Sequence, residues 1–221
     1  MLTLFVVYLN LFRRRYLDSP HSILLLFSLI TIFPLLSYLI ATDNLFSVYL
    51  LPFAIIPMFV RIFMDSRTAF MALVTAVLLT SLPLHGTFEF VLVQIVAGLT
   101  AIYSLKELTE RSQLLRVVAT VTASSLLITL AYELSQGIAP ADLDHSHLVH
   151  LVISGALLLL AYPLLYLIER LFGFTSSVTL VELTNINNNM LRKMSKVAQG
   201  TFNHSMQVAN LAAEAAIRIG A

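Results

Sequence analysis

The sequence predicts an all-α membrane protein: a polytopic transmembrane helix bundle followed by a short, water-type helical tail. Three observations carry this reading. Hydrophobic residues make up 58% of the 221 positions and charged residues 11%, where a soluble domain has nearly half and about a quarter. Apolar runs of about 20 residues, the length a helix needs to cross a bilayer, recur along the chain. Lys and Arg are confined to alternate connections between those runs, as in a multi-pass protein with a positive inner side.

The first run, Met1 to Phe12, is too short to span and ends on Arg13-Arg14-Arg15. It reads as the inner foot of a span whose outer half is missing, from a parent chain that extends further N-terminally; the alternative is a short interfacial helix. The charges follow the apolar run, the reverse of a secretory leader's order. Six further runs read as spans: 22–41, 45–64, 68–84, 87–105, 115–136 and 148–168. With the first piece they make seven.

One set of connections holds Arg13, Arg14, Arg15, Arg61, Arg67, Lys106, Arg111 and Arg116. The other set, at 42–44, 85–86 and 137–147, holds no Lys or Arg. The first set is therefore expected on the cytoplasmic side, and everything after Glu169 in the cytosol. Pro52 and Pro57 within 45–64, and Pro163 in the last span, are expected to kink helices; a hinge or ligand-pocket role is the alternative for Pro52 and Pro57. The chain has no cysteine, which excludes disulfides, thiolate metal sites and cysteine nucleophiles. It has no Trp, so an interfacial aromatic belt must come from Tyr. A net charge of +1 gives no case for nucleic-acid binding.

After Phe172 the composition turns polar. Ser176 or Ser177 can cap a short helix through Glu182. Asn185 to Asn189 reads as a break, because Asn side chains compete for local backbone hydrogen bonds. Met190 to Val197 reads as a second short helix, stopped by Gly200. Thr201 is then a good N-cap. A helix from Phe202 places His204, Val208, Leu211, Ala212, Ala215 and Ile219 along one face. A histidine pointing into packing needs an acceptor, a carboxylate or a metal. Spacing alone favours a satisfied core histidine over a ligand.

Specific runs add a resemblance. Val181-Glu182-Leu183 is followed by Gly200-Thr201-Phe202-Asn203-His204-Ser205, then Val208, Asn210-Leu211-Ala212 and Ile219-Gly220-Ala221. Upstream lie "YLLPFAIIPMFVRIFMDSRTAF" from Tyr49 and "YPLLYLIERLFGFTSSVTLVEL" from Tyr162. These resemble the seven-transmembrane HD-domain phosphohydrolases of the PgpH type. In that family a Leu-Glu-Leu linker joins the last span to a Gly-Thr-aromatic-x-His-Ser helix that opens a cytosolic HD domain. The resemblance implies an HD domain that binds two divalent metal ions, manganese or iron, and hydrolyses a cyclic dinucleotide, typically cyclic di-AMP. It implies an extracellular domain before Met1, an extracellular signal and a bacterial cytoplasmic-membrane location; a homodimer is a further expectation. By carry-over His204 matches the first metal-ligand histidine.

The departures bound what this chain does. No His-Asp dipeptide occurs; Asp144-His145 is the reverse order and sits on the outer side. The spacer "NINNNM" lacks a proline the family often has, and Gln199 stands where it often has Pro. The chain is therefore expected to be a fragment: a membrane sensor domain at 1–170, a cytosolic linker at 171–199 and the opening of an HD domain at 200–221. Alone it is expected to be catalytically incomplete, because one histidine cannot hold a two-metal centre.

Other polar groups remain. Asp142, Asp144, His145, His147 and His150 form the densest His/Asp cluster, readable as an outer metal site or as a solvated loop. His85, Glu89, Gln94 and Glu133 are the polar residues nearest the bilayer. Intramembrane ionisable groups are functional candidates, but His85, Glu89 and Glu133 fall near predicted outer ends, where snorkelling or hydration explains them. If they act, Glu89 and Glu133 line an outward-facing ligand cup. Glu107 and Arg111 read as a solvated i,i+4 pair. No Gly-rich phosphate loop or nucleophile elbow is present. Two alternatives stay open. A transporter would gather polar groups at the midplane in broken helices, where only Gln94 lies. A sensor histidine kinase would use His204 as phosphoacceptor, usually with an acidic residue next; here Ser205 follows.

Overall fold

The computed structural model describes residues 1–43, 47–84, 87–105, 113–138, 145–185 and 187–219. Among them all regular structure is helical. The chain forms two compact units, Met1–Ser176 and Ser177–Ala221.

The first unit opens with α1 (Leu2–Phe12), the single turn α2 (Arg14–Leu17) and the long α3 (Pro20–Asp43). A 3-10 turn (Val48–Leu50) leads into α4 (Ile55–Phe63) and α5 (Ser66–Ser81). Then come α6 (Thr87–Ser104), α7 (Gln113–Ser135), α8 (His145–Leu157), a second 3-10 turn (Leu158–Leu160) and α9 (Ala161–Phe172). Four segments are long and apolar enough to cross a membrane: Pro20–Thr42, Thr87–Ser104, Gln113–Ser135 and Ser146–Phe172. Each buries only about a third of its length in the protein. Leu24, Leu35, Leu127 and Val152 are among the large apolar side chains left facing outward. Such a surface is matched by lipid, not water.

Leu2–Phe12, Val48–Phe63 and Ser66–Ser81 are shorter apolar helices, so the expected count of seven spans is not reached on length alone. In the run expected at 45–64 the cause is local. Leu51 is extended (φ −75°, ψ 124°), as the residue before a proline prefers, and Pro52 separates the 3-10 turn from α4. Pro57 falls in the first turn of α4, where its missing N–H leaves no bond unmade. Pro163 follows the 3-10 turn of the last span in the same way, within an otherwise continuous helical run.

α5 is the centre of this unit, packed against α3, α4 and α6. Its inward face is built largely of small residues: Ala69, Ala72, Leu73, Ala76 and Val77 are fully buried. Small side chains let helices approach closely where no hydrophobic force drives them together. At Gly98 on α6 the approach is so close that a Cβ would run into the Leu73 side chain. Gly173, in the left-handed region at φ +67°, ends α9, and Phe174 stacks on Phe63 at 5.2 Å.

The second unit holds α10 (Ser177–Thr184), α11 (Asn189–Val197) and α12 (Gln199–Ile219). The asparagine break works as its chemistry predicts. Asn187 N–H donates to Asn185 Oδ1 at 2.9 Å, and Met190 N–H donates to Asn188 Oδ1 at 3.1 Å, capping α11. Two local expectations are corrected. The stop comes at Ala198 (φ −133°, ψ 58°) instead of Gly200. Thr201 is not the cap of α12: Phe202 N–H bonds the Ala198 carbonyl at 3.0 Å, so the helix starts earlier and takes Gly200 and Thr201 into its first turn.

Candidate functional site

The first unit carries polar chemistry at both ends of the bundle. At the end that bears the arginines, Asp65 precedes α5 and caps it: Oδ1 accepts the N–H groups of Arg67 and Thr68, both at 2.9 Å. Its Oδ2 accepts from Arg13 Nε at 2.9 Å, Tyr16 Oη at 3.0 Å and Thr68 Oγ1 at 3.0 Å. Arg15 in turn donates to Tyr16 Oη at 2.8 Å. Burial pushes the Asp65 carboxyl up, but these hydrogen bonds outweigh it and hold the group below the ordinary carboxylate value of 3.8. Burial likewise raises the Tyr16 phenol. The pairing of Arg13 with Asp65 puts the first and second Arg-bearing connections side by side, as the charge alternation requires.

At the opposite end three side chains converge from three helices. Glu89 comes from the first turn of α6, Glu133 from the last turns of α7 and His147 from the start of α8. One ligand atom from each lies within 4.8 Å of the other two. His147 Nδ1 is 3.9 Å from Glu89 Oε1. The Tyr49 ring packs on the His147 ring at 5.2 Å and on Phe90 at 5.9 Å, with its hydroxyl turned toward Glu89. Glu133 is 6% exposed. Its Oε2, like Glu89 Oε1, is buried without a hydrogen-bond partner. A buried carboxylate oxygen without a partner is costly. Glu133 sits near a helix C-terminus, where the backbone dipole also disfavours negative charge.

Glu89 and Glu133, read together from the sequence, lie near each other, and His147 from the His/Asp cluster joins them. His150 turns away: its Nδ1 bonds the Ser146 carbonyl at 2.6 Å. His85, Glu107, Arg111, Asp142 and Asp144, and the His145 side chain, lie outside the described residues. Gln94 borders a cavity of about 20 Å³ with Pro52, Ser125 and Gly155, room for about one water and too small for a transported solute. His204 on α12 is exposed, as are Val208, Leu211 and Ile219 of its face; Phe202 and Met206 are the half-buried residues of that first stretch. Among the described residues no set of three metal-ligating groups includes His204. Two features escaped the sequence reading. The Asp65 clamp had a legible signal, an Asp three residues before Thr68 at the head of an apolar run. Tyr49 had none.

A family model described as "7TM receptor with intracellular HD hydrolase" matches residues 1–176, the span of the first compact unit. The chain belongs to this family. It is also similar to the protein named cyclic-di-AMP phosphodiesterase PgpH from Bacillus subtilis (strain 168), 29% identical over 224 residues, covering 95% of this chain and 31% of the relative. The protein of the same name from Listeria monocytogenes serotype 1/2a (strain 10403S) is 29% identical over 186 residues, covering 81% of this chain and 26% of the relative. The chain thus spans less than a third of the length of either relative. No solved structure matches it.

Proposed function

We propose that this chain is the membrane-sensor portion of a metal-dependent cyclic-dinucleotide phosphodiesterase acting on cyclic di-AMP. In this reading Met1–Ser176 forms a seven-span sensor domain in the bacterial cytoplasmic membrane, with its arginine-bearing end in the cytosol. The second unit is a cytosolic linker and the opening helix of an HD domain. The observation that carries the reading is similarity that runs past the membrane unit: the Bacillus subtilis relative, named for this activity, covers 95% of the chain, more than residues 1–176 account for.

His204 is one imidazole on an exposed helix face and fits the role of a single ligand. Among the described residues His204 belongs to no set of three metal-ligating groups; in this reading its partner ligands come from the rest of the HD domain. In a complete HD domain two divalent ions, manganese or iron, would activate water and stabilise charge in phosphodiester cleavage. What this chain contributes is position. α12 presents His204 together with an uncovered stripe of Val208, Leu211 and Ile219, the kind of face a helix buries in a domain core.

The test is manganese-dependent cyclic di-AMP hydrolysis by the full-length protein in detergent, wild type against His204→Ala. A loss of at least about 100-fold with helical content intact makes His204 a ligand. Unchanged activity removes it from the metal centre, and absence of hydrolysis in the wild type overturns the functional reading.

A further inference from the structure

The Glu89–Glu133–His147 cluster leaves carboxylate oxygens without hydrogen bonds among the described residues. Two carboxylates and one imidazole meet in one small space, a donor set suited to a cation. No Lys or Arg lies in the connections at 42–44, 85–86 and 137–147, so that end offers no strong counter-ion of its own. His147 is the basic group at hand, and its Nδ1 stands 3.9 Å from Glu89 Oε1. Meanwhile Glu133 Oε2 and Glu89 Oε1 are buried and accept no hydrogen bond, and one oxygen of each carboxylate lies within 4.8 Å of the other and of a His147 ring nitrogen.

We propose that Glu89, Glu133 and His147 bind one divalent transition-metal ion, with zinc the best fit. Two carboxylates and one neutral imidazole balance a charge of +2. Mixed oxygen and nitrogen donors suit zinc and its neighbours better than calcium or magnesium, which take oxygen shells. Three protein donors leave a fourth position open to water or to a further ligand. Donor atoms around one tetrahedral zinc sit roughly 3.3 Å apart. The observed spread of up to 4.8 Å is about 1.5 Å wider than that, a gap on the scale of a side-chain rotation. Tyr49, packed on His147, orients the imidazole from outside the donor set.

The consequence follows from where His147 sits. It begins Ser146–Phe172, the run that ends at the junction with the second unit. An ion tying His147 to α6 and α7 fixes the far end of that run. As the identity of the signal, the ion rests on the sensor reading; as a binding site it stands on geometry alone.

Binding is therefore measured first, on the full chain in lipid nanodiscs after chelator stripping. Zinc is quantified by mass spectrometry, and cobalt(II) is used as a spectroscopic probe. The expected result is one zinc per chain and a visible cobalt band. Glu133→Gln should weaken zinc at least about 10-fold, and His147→Gln should change the cobalt spectrum through loss of imidazole. Asp142→Asn/Asp144→Asn should keep both. Folding of every variant is checked by circular dichroism. No zinc on a folded wild type at low micromolar free zinc overturns the site. So does wild-type binding by Glu133→Gln together with an unchanged cobalt spectrum in His147→Gln, or loss of binding in the Asp142→Asn/Asp144→Asn protein. Zinc that binds as described but leaves hydrolysis by the full-length protein unchanged keeps the site and removes the sensor reading.

Discussion

Asp65 and Glu133 are both carboxylates near helix ends in one bundle, and they are treated in opposite ways. Asp65 stands before its helix, where the dipole favours it, and accepts five hydrogen bonds, from Arg13, Tyr16, the Arg67 and Thr68 amides and the Thr68 hydroxyl. Glu133 stands near the end of its helix, more deeply buried, with one oxygen unpartnered. The first arrangement holds two connections together. The second leaves a carboxylate oxygen without a hydrogen bond from the chain, the feature on which the proposed metal site rests.

The comparison breaks most readily at Asp65. Asp65→Ala removes a helix cap and an ion pair together and should cost about 2–3 kcal/mol. That is a fall of several degrees in Tm, read by circular dichroism because the chain has no Trp. Acid sharpens the same point. The Asp65 carboxyl is held below 3.8, so its stabilisation is fully present above the ordinary carboxylate range. It is lost as pH falls through the lower folded value. Asp65→Asn should flatten that part of the stability–pH curve, and an unchanged slope would show that other carboxylates set it. Arg13→Gln should cost less, about 0.5–1 kcal/mol, since the pair is partly exposed. Smallest of all is Glu133→Gln without metal, which should lie within about 0.5 kcal/mol of wild type, because the Glu133 Oε2 it replaces has no hydrogen bond to lose.

The four long segments were legible because hydropathy and length are properties of one helix. Arg13 and Asp65 were legible as belonging to one side, since charge alternation orders the connections. The asparagine break was legible from side-chain chemistry within four residues. What did not show is what depends on neighbours. The extended Leu51 before Pro52 turned an expected span into a short α4. The start of α12 was decided by a backbone bond to Ala198 instead of by Thr201. Glu89 and Glu133 were legible as one outer pair, since both fall near outer ends, but helical periodicity does not say which helices stand side by side, so the arrival of His147 between them was not.

If one end of the bundle holds and the other binds, zinc should stabilise three chains in nanodiscs unequally, as read from Tm: wild type, Asp65→Ala and Glu133→Gln. At zinc 100-fold above its Kd the wild type should gain about 2.7 kcal/mol. Asp65→Ala should start lower and keep that gain, while Glu133→Gln should start level with the wild type and keep at most about 1.4 kcal/mol of it, the gain a 10-fold weaker site allows. A full gain in Glu133→Gln, or none in a folded Asp65→Ala, would contradict the division.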